Sequence, residues 1–398
     1  MLVDGQRELA YVAKVTEILP IEGADRVEIA KINGWTCMVG KGSFKVGDLG
    51  VFFEADSRVP ATEYFAFMEK RDYKVKVQKF FKGTVISDGL LMPFADLGLN
   101  PKDYKEGQPM TKQLGVVYSV AEDNKRKSNG DKDAKYKSMA ARHPKIFKNK
   151  LIRKIYKTEL GKRILFLFLG KKSDKPNAFP YWVVKTDEER IQNLTMYIPE
   201  YKNELWWATE KVDGSSSTFT LKKEKHNKRK YVVCSRNVAM TPNSRNFYTD
   251  MGVGNVYIEM AVKYDMERVL NEILNANPDA NFVTLQGEIY GAGVQKRDYS
   301  MSDHDLRIFN VILGFDDGVV RMNPEQGKRF VESFGLKYVP VLGLISFDDL
   351  NTCDDFLALA KGVSEIDGLP REGLVFRNGD ATKSFKAVDP EFIIKYHG

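Results

Sequence analysis

Short runs of β-branched and aromatic residues alternate with glycine- and aspartate-containing turns over residues 1–115. Asn33-Gly34 lies between two of these runs, where such a pair favours a two-residue hairpin turn. Short strands at this spacing predict a small β-barrel, and the OB-fold is the type we expect, with other small barrels as the alternative. The predicted strands are Tyr11–Leu19, Val27–Ile32, Trp35–Val39 and Leu49–Phe53.

Residues 181–398 mix strand-like and helix-like patterns, which predicts a second domain of mixed α/β type with antiparallel sheets. Apolar positions between Val256 and Leu274 recur near a period of 3.6 and predict one helix. Asn323-Pro324 and Thr352 have the residue types that begin helices. The fold class is therefore α+β. The predicted strands are Leu205–Glu210, Thr218–Leu221, Tyr231–Cys234, Phe282–Leu285, Leu306–Leu313 and Gly373–Arg377.

A basic segment, residues 116–180, separates the two predicted domains. Between Glu122 and Lys175 there are 18 Lys or Arg against 6 Asp or Glu, although the whole chain carries only +7. We expect turns at Ser128–Asp133 and a helix over Pro144–Leu160. The segment is either an insertion that contacts phosphates or a solvated linker, and the sequence favours neither interpretation.

Composition excludes several classes of protein. No run of about 18 apolar residues could cross a membrane, and the N-terminus lacks the apolar region of a signal peptide. The 3 cysteines and 4 histidines are scattered, which argues against a disulfide framework and against a Cys- or His-based zinc site. We expect a cytoplasmic (intracellular) protein that does not bind membranes.

The segment Glu210-Lys211-Val212-Asp213-Gly214 carries the most specific chemistry. A lysine amine attacks phosphorus only when neutral, so such a site must lower its pKa by burial or by nearby cations, including bound metal. Gly214 would let the backbone approach a phosphate, and Asp213 could orient the lysine or a ribose. Alone, this segment could also be an exposed lysine beside a turn.

Further segments follow it in a fixed order. They are Ser235-Arg236-Asn237, Gln286–Gly291 with Glu288, Arg307–Val311 with Phe309, Glu372–Phe376, and Ser384-Phe385-Lys386. Together with Lys211, they resemble the motifs of the covalent nucleotidyltransferases, which include ATP-dependent ligases and RNA capping enzymes. Each later segment has an ordinary structural explanation by itself, but the six in order favour the resemblance.

The resemblance implies a role for each residue. Lys211 would take AMP from ATP, and Glu210, Asp213 and Gly214 would flank it in the ATP site. Arg236 would contact the nucleotide or the incoming phosphate, Glu288 the ribose, and Lys386 the α-phosphate. The Phe309 ring would stack on the base, and Glu372 would work with Mg²⁺ or Mn²⁺. Relatives often carry a second lysine two positions after Lys386, where this chain has Val388, so Lys383 or Lys395 is a guess for that charge.

The order of domains narrows the family. The chain ends twelve residues after Lys386, without the C-terminal OB domain of DNA ligases and capping enzymes. Ile21–Asp25 and Lys185–Asn193 instead resemble RNA ligases with an N-terminal OB domain. This implies a monomeric ATP-dependent ligase that seals RNA breaks with 3′-hydroxyl and 5′-phosphate ends, notably nicks in a duplex or RNA-containing hybrid.

Three alternatives stay open at this point. They are a DNA nick-sealing ligase, a guanylyltransferase, and a non-enzymatic OB-fold RNA-binding protein.

Overall fold

Short strands form the N-terminal domain in the computed structural model. The structure describes residues 2–3, 6–81, 85–119, 136, 139–140, 143–147, 149–169, 179–226, 228–236, 238–240 and 255–397. The strands are β1 (Leu2–Val3), β2 (Gln6–Arg7), β3 (Ala10–Lys14), β4 (Glu17–Pro20), β5 (Val27–Ile32), β6 (Trp35–Gly40), β7 (Leu49–Glu54), β8 (Ser57–Arg58), β9 (Gln78–Phe80), β10 (Val85–Ser87), β11 (Gly89–Met92) and β12 (Val117–Tyr118).

Two three-stranded antiparallel sheets, β11-β7-β3 and β4-β5-β6, provide the frame of this barrel. They join where the Asp88 N–H donates to the Thr36 carbonyl at 2.7 Å and the Met38 N–H donates to Ser87 Oγ at 3.1 Å. The inward side chains of both sheets form one buried cluster around Trp35 and Phe52. The predicted OB-like barrel is confirmed, including the β5–β6 hairpin, in which Ile32 pairs with Trp35.

The described part of the basic segment includes the short helices α1 (Pro144–Phe147), α2 (Lys150–Tyr156) and α3 (Glu159–Leu169). The single helix predicted over Pro144–Leu160 is wrong, because the Asn149 side chain caps a new helix by accepting from the Leu151 N–H at 2.8 Å. The turns predicted at Ser128–Asp133, and much of the basic segment, lie outside the described residues.

Two sheets form the C-terminal domain. The first has the order β13-β23-β22-β14-β21 and the second β17-β16-β15-β18-β19-β20. All pairs are antiparallel except β13 with β23. The strands are β13 (Glu189–Arg190), β14 (Trp206–Lys211), β15 (Ser215–Lys223), β16 (Arg229–Ser235), β17 (Ala239–Met240), β18 (Phe282–Gly291), β19 (His304–Gly314), β20 (Val319–Arg321), β21 (Val341–Ile345), β22 (Gly373–Asn378) and β23 (Ser384–Val388).

Helices cover the outer faces of both sheets. The helix predicted over Val256–Leu274 is two helices, because Asp265 adopts a left-handed backbone conformation (φ 44°) between them. Asn323 and Thr352 begin helices as predicted, each with a reciprocal capping box. The helices are α4 (Ile198–Tyr201), α5 (Val256–Lys263), α6 (Met266–Ala276), α7 (Pro324–Glu332), α8 (Cys353–Ala360) and α9 (Pro390–His397).

The barrel docks on the C-terminal domain at Asn193, and we call this contact the joint. The Asn193 side-chain oxygen accepts from Tyr11 Oη at 2.8 Å and from Trp35 Nε1 at 2.7 Å. Its nitrogen donates to Glu54 Oε1 at 3.2 Å and to Glu189 Oε1 at 2.7 Å. All four hydrogen-bonding positions of this amide are therefore used, three of them by the barrel.

The hairpin turn at Gly34 completes the joint. The Gly34 N–H donates to the Gln192 carbonyl at 3.0 Å. A Cβ at Gly34 would lie 2.6 Å from Cys353 Sγ and 2.8 Å from Gln192 Cα, so only glycine permits this approach. The turn of a barrel hairpin thus also contacts the backbone of the C-terminal domain directly.

Candidate active site

A cavity of ≈ 600 Å³, including its open mouth, lies between the two C-terminal sheets. Six of the residues singled out from the sequence line it, and they come from both sheets: Glu210, Lys211, Arg236, Glu288, Phe309 and Lys386. Strand order explains the convergence. β14 and β22 deliver Lys211 beside Gly373, while β15 and β18 deliver Ser216 beside Glu288.

Lys211 ends β14 at the point where the chain passes from one sheet to the other. Its Nζ donates to both carboxylate oxygens of Glu372 at 2.7 Å. Burial alone would lower the pKa of Lys211, but the carboxylates of Glu372 and Glu288 raise it above its ordinary value. The expectation of a lowered pKa included bound metal among its causes and stays a prediction, while Glu372 binds the Lys211 amine on both of its oxygens.

Glu288 provides a second carboxylate beside Lys211. Burial raises the pKa of Glu288 to about 8, although the charges of Lys211 and Arg236 oppose the rise and that of Glu372 adds to it. Two carboxylates that face one lysine in a buried place leave an excess of negative charge there. A cation that binds between them would relieve this repulsion.

Lys386 also lines the cavity. Its Nζ donates to Asp187 Oδ1 at 3.1 Å. Burial lowers the pKa of Lys386 to about 8, and the nearby Arg7 and Arg190 contribute to the shift. Burial alone would raise the pKa of Asp187, but Lys386 and Arg7 bring it down to about 2. The pair is thus one carboxylate among several cations, an arrangement suited to an anionic ligand.

Arg377 is a further cation that the sequence reasoning missed. Its Nη2 donates to Glu188 Oε1 at 3.0 Å, and only 3% of its side chain is exposed. By contrast, Lys383 is 42% exposed and pairs with Glu200 and Glu204 outside the cavity. Lys395 is exposed on α9 and does not line the cavity either. Neither guess for a second lysine is supported by its position, and Arg377 is an additional cation that lines the cavity.

Phe309 and Glu210 also line the cavity. Phe309 alternates on β19 with Ile308, which faces the core, so the Phe309 ring is only partly buried. The Glu210 carboxylate accepts from Ser364 Oγ at 2.5 Å and from the Glu365 N–H at 3.0 Å. Glu210 therefore anchors the loop that contains Ser364 and Glu365. The Phe309 ring remains beside the cavity as a surface for a flat ligand.

Family models and solved structures of known proteins match this chain. A family model described as RNA ligase matches residues 204–397, and an OB-fold domain model matches residues 9–94. RNA ligase from Naegleria gruberi with pyrophosphate has a similar structure, with a TM-score of 0.70, 25% identity and coverage of 98% of this chain and 99% of that one. A mutant of that ligase with ATP and Mn gives the same values. No curated protein sequence matches.

The chain belongs to the ATP-dependent RNA ligases with an N-terminal OB-fold domain. The ligase is consequently an enzyme, and the predicted α+β fold is confirmed. Among its described residues, no helix has the length and apolar character to cross a membrane.

Asp213 and Gly214 do not line the ligase cavity. The Asp213 carboxylate is 3.0 Å from His397 Nε2 on α9, and its backbone N–H donates to Tyr299 Oη at 2.7 Å. A Cβ at Gly214 would lie 2.1 Å from the Ile289 carbonyl oxygen. The missing side chain of Gly214 thus makes room for β18, and its expected approach to a phosphate stays a prediction. Asp213 fastens the loop after Lys211 to the C-terminal helix.

Further residues line the cavity of the ligase that the nucleotidyltransferase motifs did not predict. Thr186, Asp187 and Glu188 line it, and Thr186 Oγ1 lies 2.6 Å from Ser216 Oγ. These residues belong to the Lys185–Asn193 segment, whose acidic run was the available signal. Arg236 follows the last residue of β16, whereas its neighbour Asn237 lies outside the described residues.

Glu372 and Glu288 could hold a divalent cation if substrate phosphates and water supplied the other metal ligands. Among the described residues, no group of three or more His, Cys, Asp or Glu could hold a metal ion. Glu372 nevertheless contacts Lys211 Nζ at 2.7 Å, and Glu288 lines the same cavity as Lys211. Magnesium typically binds one or two carboxylates together with substrate phosphates and water, and these residues suit that coordination.

Proposed function

We propose that this ligase seals RNA breaks with 3′-hydroxyl and 5′-phosphate ends through a lysyl-AMP intermediate on Lys211. The observation that carries the proposal is the position of Lys211 Nζ. It is bound by Glu372 at 2.7 Å, and Lys211 lines one cavity with Glu288 and with the cations Arg236 and Lys386. This set places a nucleophile beside groups that stabilise negative charge on a phosphate.

The cavity is suited to hold ATP in one orientation. The partly buried Phe309 ring provides a stacking surface for adenine. Lys386, Arg236 and Arg377 provide positive charge for the phosphates at the other side. Because Asp187 and Glu188 pair with Lys386 and Arg377 in the ligand-free protein, the arriving phosphates would compete with these carboxylates.

Activation of Lys211 requires that Glu372 release it. Mg²⁺ or Mn²⁺, bound by Glu372 with Glu288 nearby, would supply positive charge at the α-phosphate and beside the lysine. With the carboxylate charge neutralised, burial would dominate and lower the pKa of Lys211. Lys211 then loses a proton and its nitrogen attacks the α-phosphorus. The N–P bond forms, the α–β P–O bond breaks, and pyrophosphate leaves with the bonding electrons.

Two transfers complete the sealing. An oxygen of the RNA 5′-phosphate attacks the AMP phosphorus, the N–P bond breaks, and Lys211 recovers its proton. The RNA 3′-hydroxyl then attacks the 5′-phosphorus, loses its proton, and AMP departs. Arg236 and Lys386 stabilise the charge on each phosphate in turn, which explains why one cavity serves all three steps.

We infer that the preferred substrate is a nick in duplex RNA or an RNA-containing hybrid, and that the protein acts as an intracellular monomer. What supports a duplex substrate is the firm attachment of the barrel to the catalytic domain through Asn193. OB barrels bind nucleic acid along a strand face and its loops, so a docked barrel can hold one side of a break. Sealing assays with RNA and DNA nicks separate this proposal from a DNA ligase.

The decisive experiment incubates the protein with ATP labelled at the α-phosphate and with Mg²⁺ or Mn²⁺, followed by denaturing electrophoresis. We expect a labelled wild-type chain and no label on Lys211→Ala. Lys328→Ala, on the exposed side of α7, is the matched control and should label like wild type. Label retained by Lys211→Ala would defeat the proposal. A folded wild type without label under either metal would favour the non-enzymatic RNA-binding alternative.

A further inference from the structure

Tyr181 and Trp182 form an aromatic pair on the surface outside the cavity. Their rings meet edge to face, with centroids 5.2 Å apart and an interplanar angle of 88°. Tyr181 is 86% exposed, which is unusual for a large aromatic side chain held in a defined orientation. An exposed ring of this kind gains little from burial, so its position calls for another explanation.

Contacts with β15 and β16 hold both rings of this pair in place. Trp182 Nε1 donates to Thr220 Oγ1 at 3.2 Å, and the Trp182 ring packs with Phe179 on the buried Val232 and Cys234. Lys222 Nζ donates to Tyr181 Oη at 2.7 Å. The Tyr181 ring is thereby ordered before any ligand arrives, which reduces the entropy lost when a flat group stacks on it.

Two lysines accompany the rings. Lys222 Nζ lies 4.5 Å from the centroid of the Tyr181 ring, and Lys230 Nζ lies 5.4 Å from that of Trp182. Lys222 and Lys230 are directly paired on β15 and β16. Residues 222–230 contain six Lys or Arg and one Glu. This surface therefore combines an exposed ring with concentrated positive charge.

The same segment leads directly into the cavity. After Trp182, the Val184 carbonyl accepts from Gln286 Nε2 at 2.7 Å, and Asp187 lines the cavity. Lys222 lies six residues along β15 from Ser216, or about 20 Å at about 3.3 Å per residue. A strand that leaves the cavity along this sheet would reach the aromatic pair within a few nucleotides.

We propose that Tyr181 is a stacking platform for an unpaired base of the RNA substrate, while Lys222 and Lys230 contact the adjoining phosphates. An exposed ring with cations at its rim is the combination by which proteins hold single strands. A base inside a duplex is stacked on both faces by its neighbours and has no free face for the ring. This inference rests on the proposed RNA-sealing function and adds that one strand of the substrate is unpaired beyond the nicked duplex.

The test compares RNA binding by the full-length protein and its variants, using fluorescence anisotropy with a single-stranded RNA and with a blunt duplex. We expect Tyr181→Ala to bind the single strand about tenfold more weakly, since stacking contributes this much per base or more. Tyr181→Phe should bind like wild type because the ring is retained. Lys230→Gln should lower the salt slope of single-strand binding by about 0.7, as one phosphate contact is lost.

Controls separate this inference from the proposed function. Lys328→Gln, which removes an exposed lysine from α7, should leave both affinity and salt slope unchanged. Labelling with ATP in the absence of RNA tests the lysyl-AMP intermediate in the same samples, so its failure in the wild type would be seen separately. Tyr181→Ser repeats the comparison with a polar replacement, in case Tyr181→Ala is poorly folded.

Equal single-strand affinity in wild type and in folded Tyr181→Ala or Tyr181→Ser would overturn the proposal. An equal loss of affinity for the blunt duplex would also overturn it, because all bases except those of the end pairs are stacked on both faces there and offer none to the ring. If Tyr181→Ala changes binding to a partner protein or to anionic vesicles but not to RNA, the surface has another function.

Discussion

The joint and the cavity both bury polar groups, but they satisfy them differently. At the joint, Asn193 is neutral and uses all four of its hydrogen-bonding positions. In the cavity, Lys211 is bound by the Glu372 carboxylate, and Glu288, which lines the same cavity, has its pKa raised to about 8. Buried polar groups whose hydrogen bonds are all made stabilise the structure. Buried ionisable groups with shifted pKa values are typical of sites that bind a ligand.

The same contrast appears in two lowered pKa values. Burial alone would raise the pKa of Glu54, but Arg7 and Arg190 lower it to about 2, so the charged form is favoured at the joint. Burial lowers the pKa of Lys386 to about 8, so the charged form is disfavoured in the cavity. A lowered pKa therefore marks a stabilised charge in the first region and a strained one in the second.

The largest expected effect comes from removing a strained charge in the cavity. Lys386→Ala should slow labelling of the protein by ATP about 100- to 1,000-fold, the usual loss when one group that stabilises phosphate charge is removed. Lys383→Ala is the matched control, three residues away along the chain. Its exposed pairs with Glu200 and Glu204 contribute little, so the labelling rate should stay within about twofold of wild type.

This pair of variants also decides which cation accompanies Lys386. If Lys383→Ala were as slow as Lys386→Ala, then Lys383 would act at the phosphates and the cavity would have to rearrange when ATP binds. A normal rate for Lys383→Ala, together with a slow Arg377→Ala, would assign that charge to Arg377.

Sequence patterns predicted several of the strands, and the resemblance to nucleotidyltransferase motifs predicted the convergence of Lys211, Glu288, Phe309 and Lys386. Phe309 lies in a predicted strand, whereas Lys211, Glu288 and Lys386 lie in parts of β14, β18 and β23 beyond the predicted runs. Arg377 could not be found in this way, because it lies on β22 next to apolar residues and enters the cavity only when β22 pairs with β14. Pairing between distant strands carries no local signal.

The roles of Asp213 and Gly214 were missed for the same physical reason. Gly214 is required by the approach of β18, and Asp213 is held by α9, which lies 184 residues further along the chain at His397. A motif gives the residue types but not the elements that pack against them. The break at Asp265 likewise interrupts an apolar period that continues on both sides, so the period alone predicted one helix.

A smaller effect is expected from breaking the joint. Asn193→Ala removes four hydrogen bonds and leaves Glu54 and Trp35 Nε1 with fewer partners, which should cost about 2–4 kcal/mol of unfolding free energy. Asn203→Ala is the control, since this exposed amide has one contact of 3.5 Å, to the Pro199 carbonyl. Thermal unfolding of both variants measures the difference.

Retained labelling by ATP in Asn193→Ala below its unfolding temperature would show that the joint acts on stability and not on the first chemical step. If Asn193→Ala and Asn203→Ala unfold at the same temperature, the barrel is held by other contacts, and the comparison between the two regions fails.

The smallest expected effect concerns the charge at the joint and its dependence on pH. Glu54 binds Arg7 Nε at 3.1 Å and Nη2 at 3.0 Å, and its side chain is 1% exposed. Glu54→Gln should lose about 1–3 kcal/mol at pH 7, since hydrogen bonds to a charged group contribute this much. Glu17→Gln, which affects an exposed pair with Lys31, should change stability by less than about 0.5 kcal/mol.

The sign of the pH effect follows from the lowered pKa of Glu54. The folded protein holds this carboxylate ionised down to about pH 2, whereas the unfolded chain protonates it near the ordinary glutamate value of 4.5. Its contribution is fully present above pH 4.5 and is lost as the pH falls towards 2. The unfolding free energies of wild type and Glu54→Gln should therefore converge over this range, measured by denaturant unfolding at pH 7, 4 and 3. A difference that stays constant on acidification would show that Glu54 stabilises the joint by its shape and not by its charge.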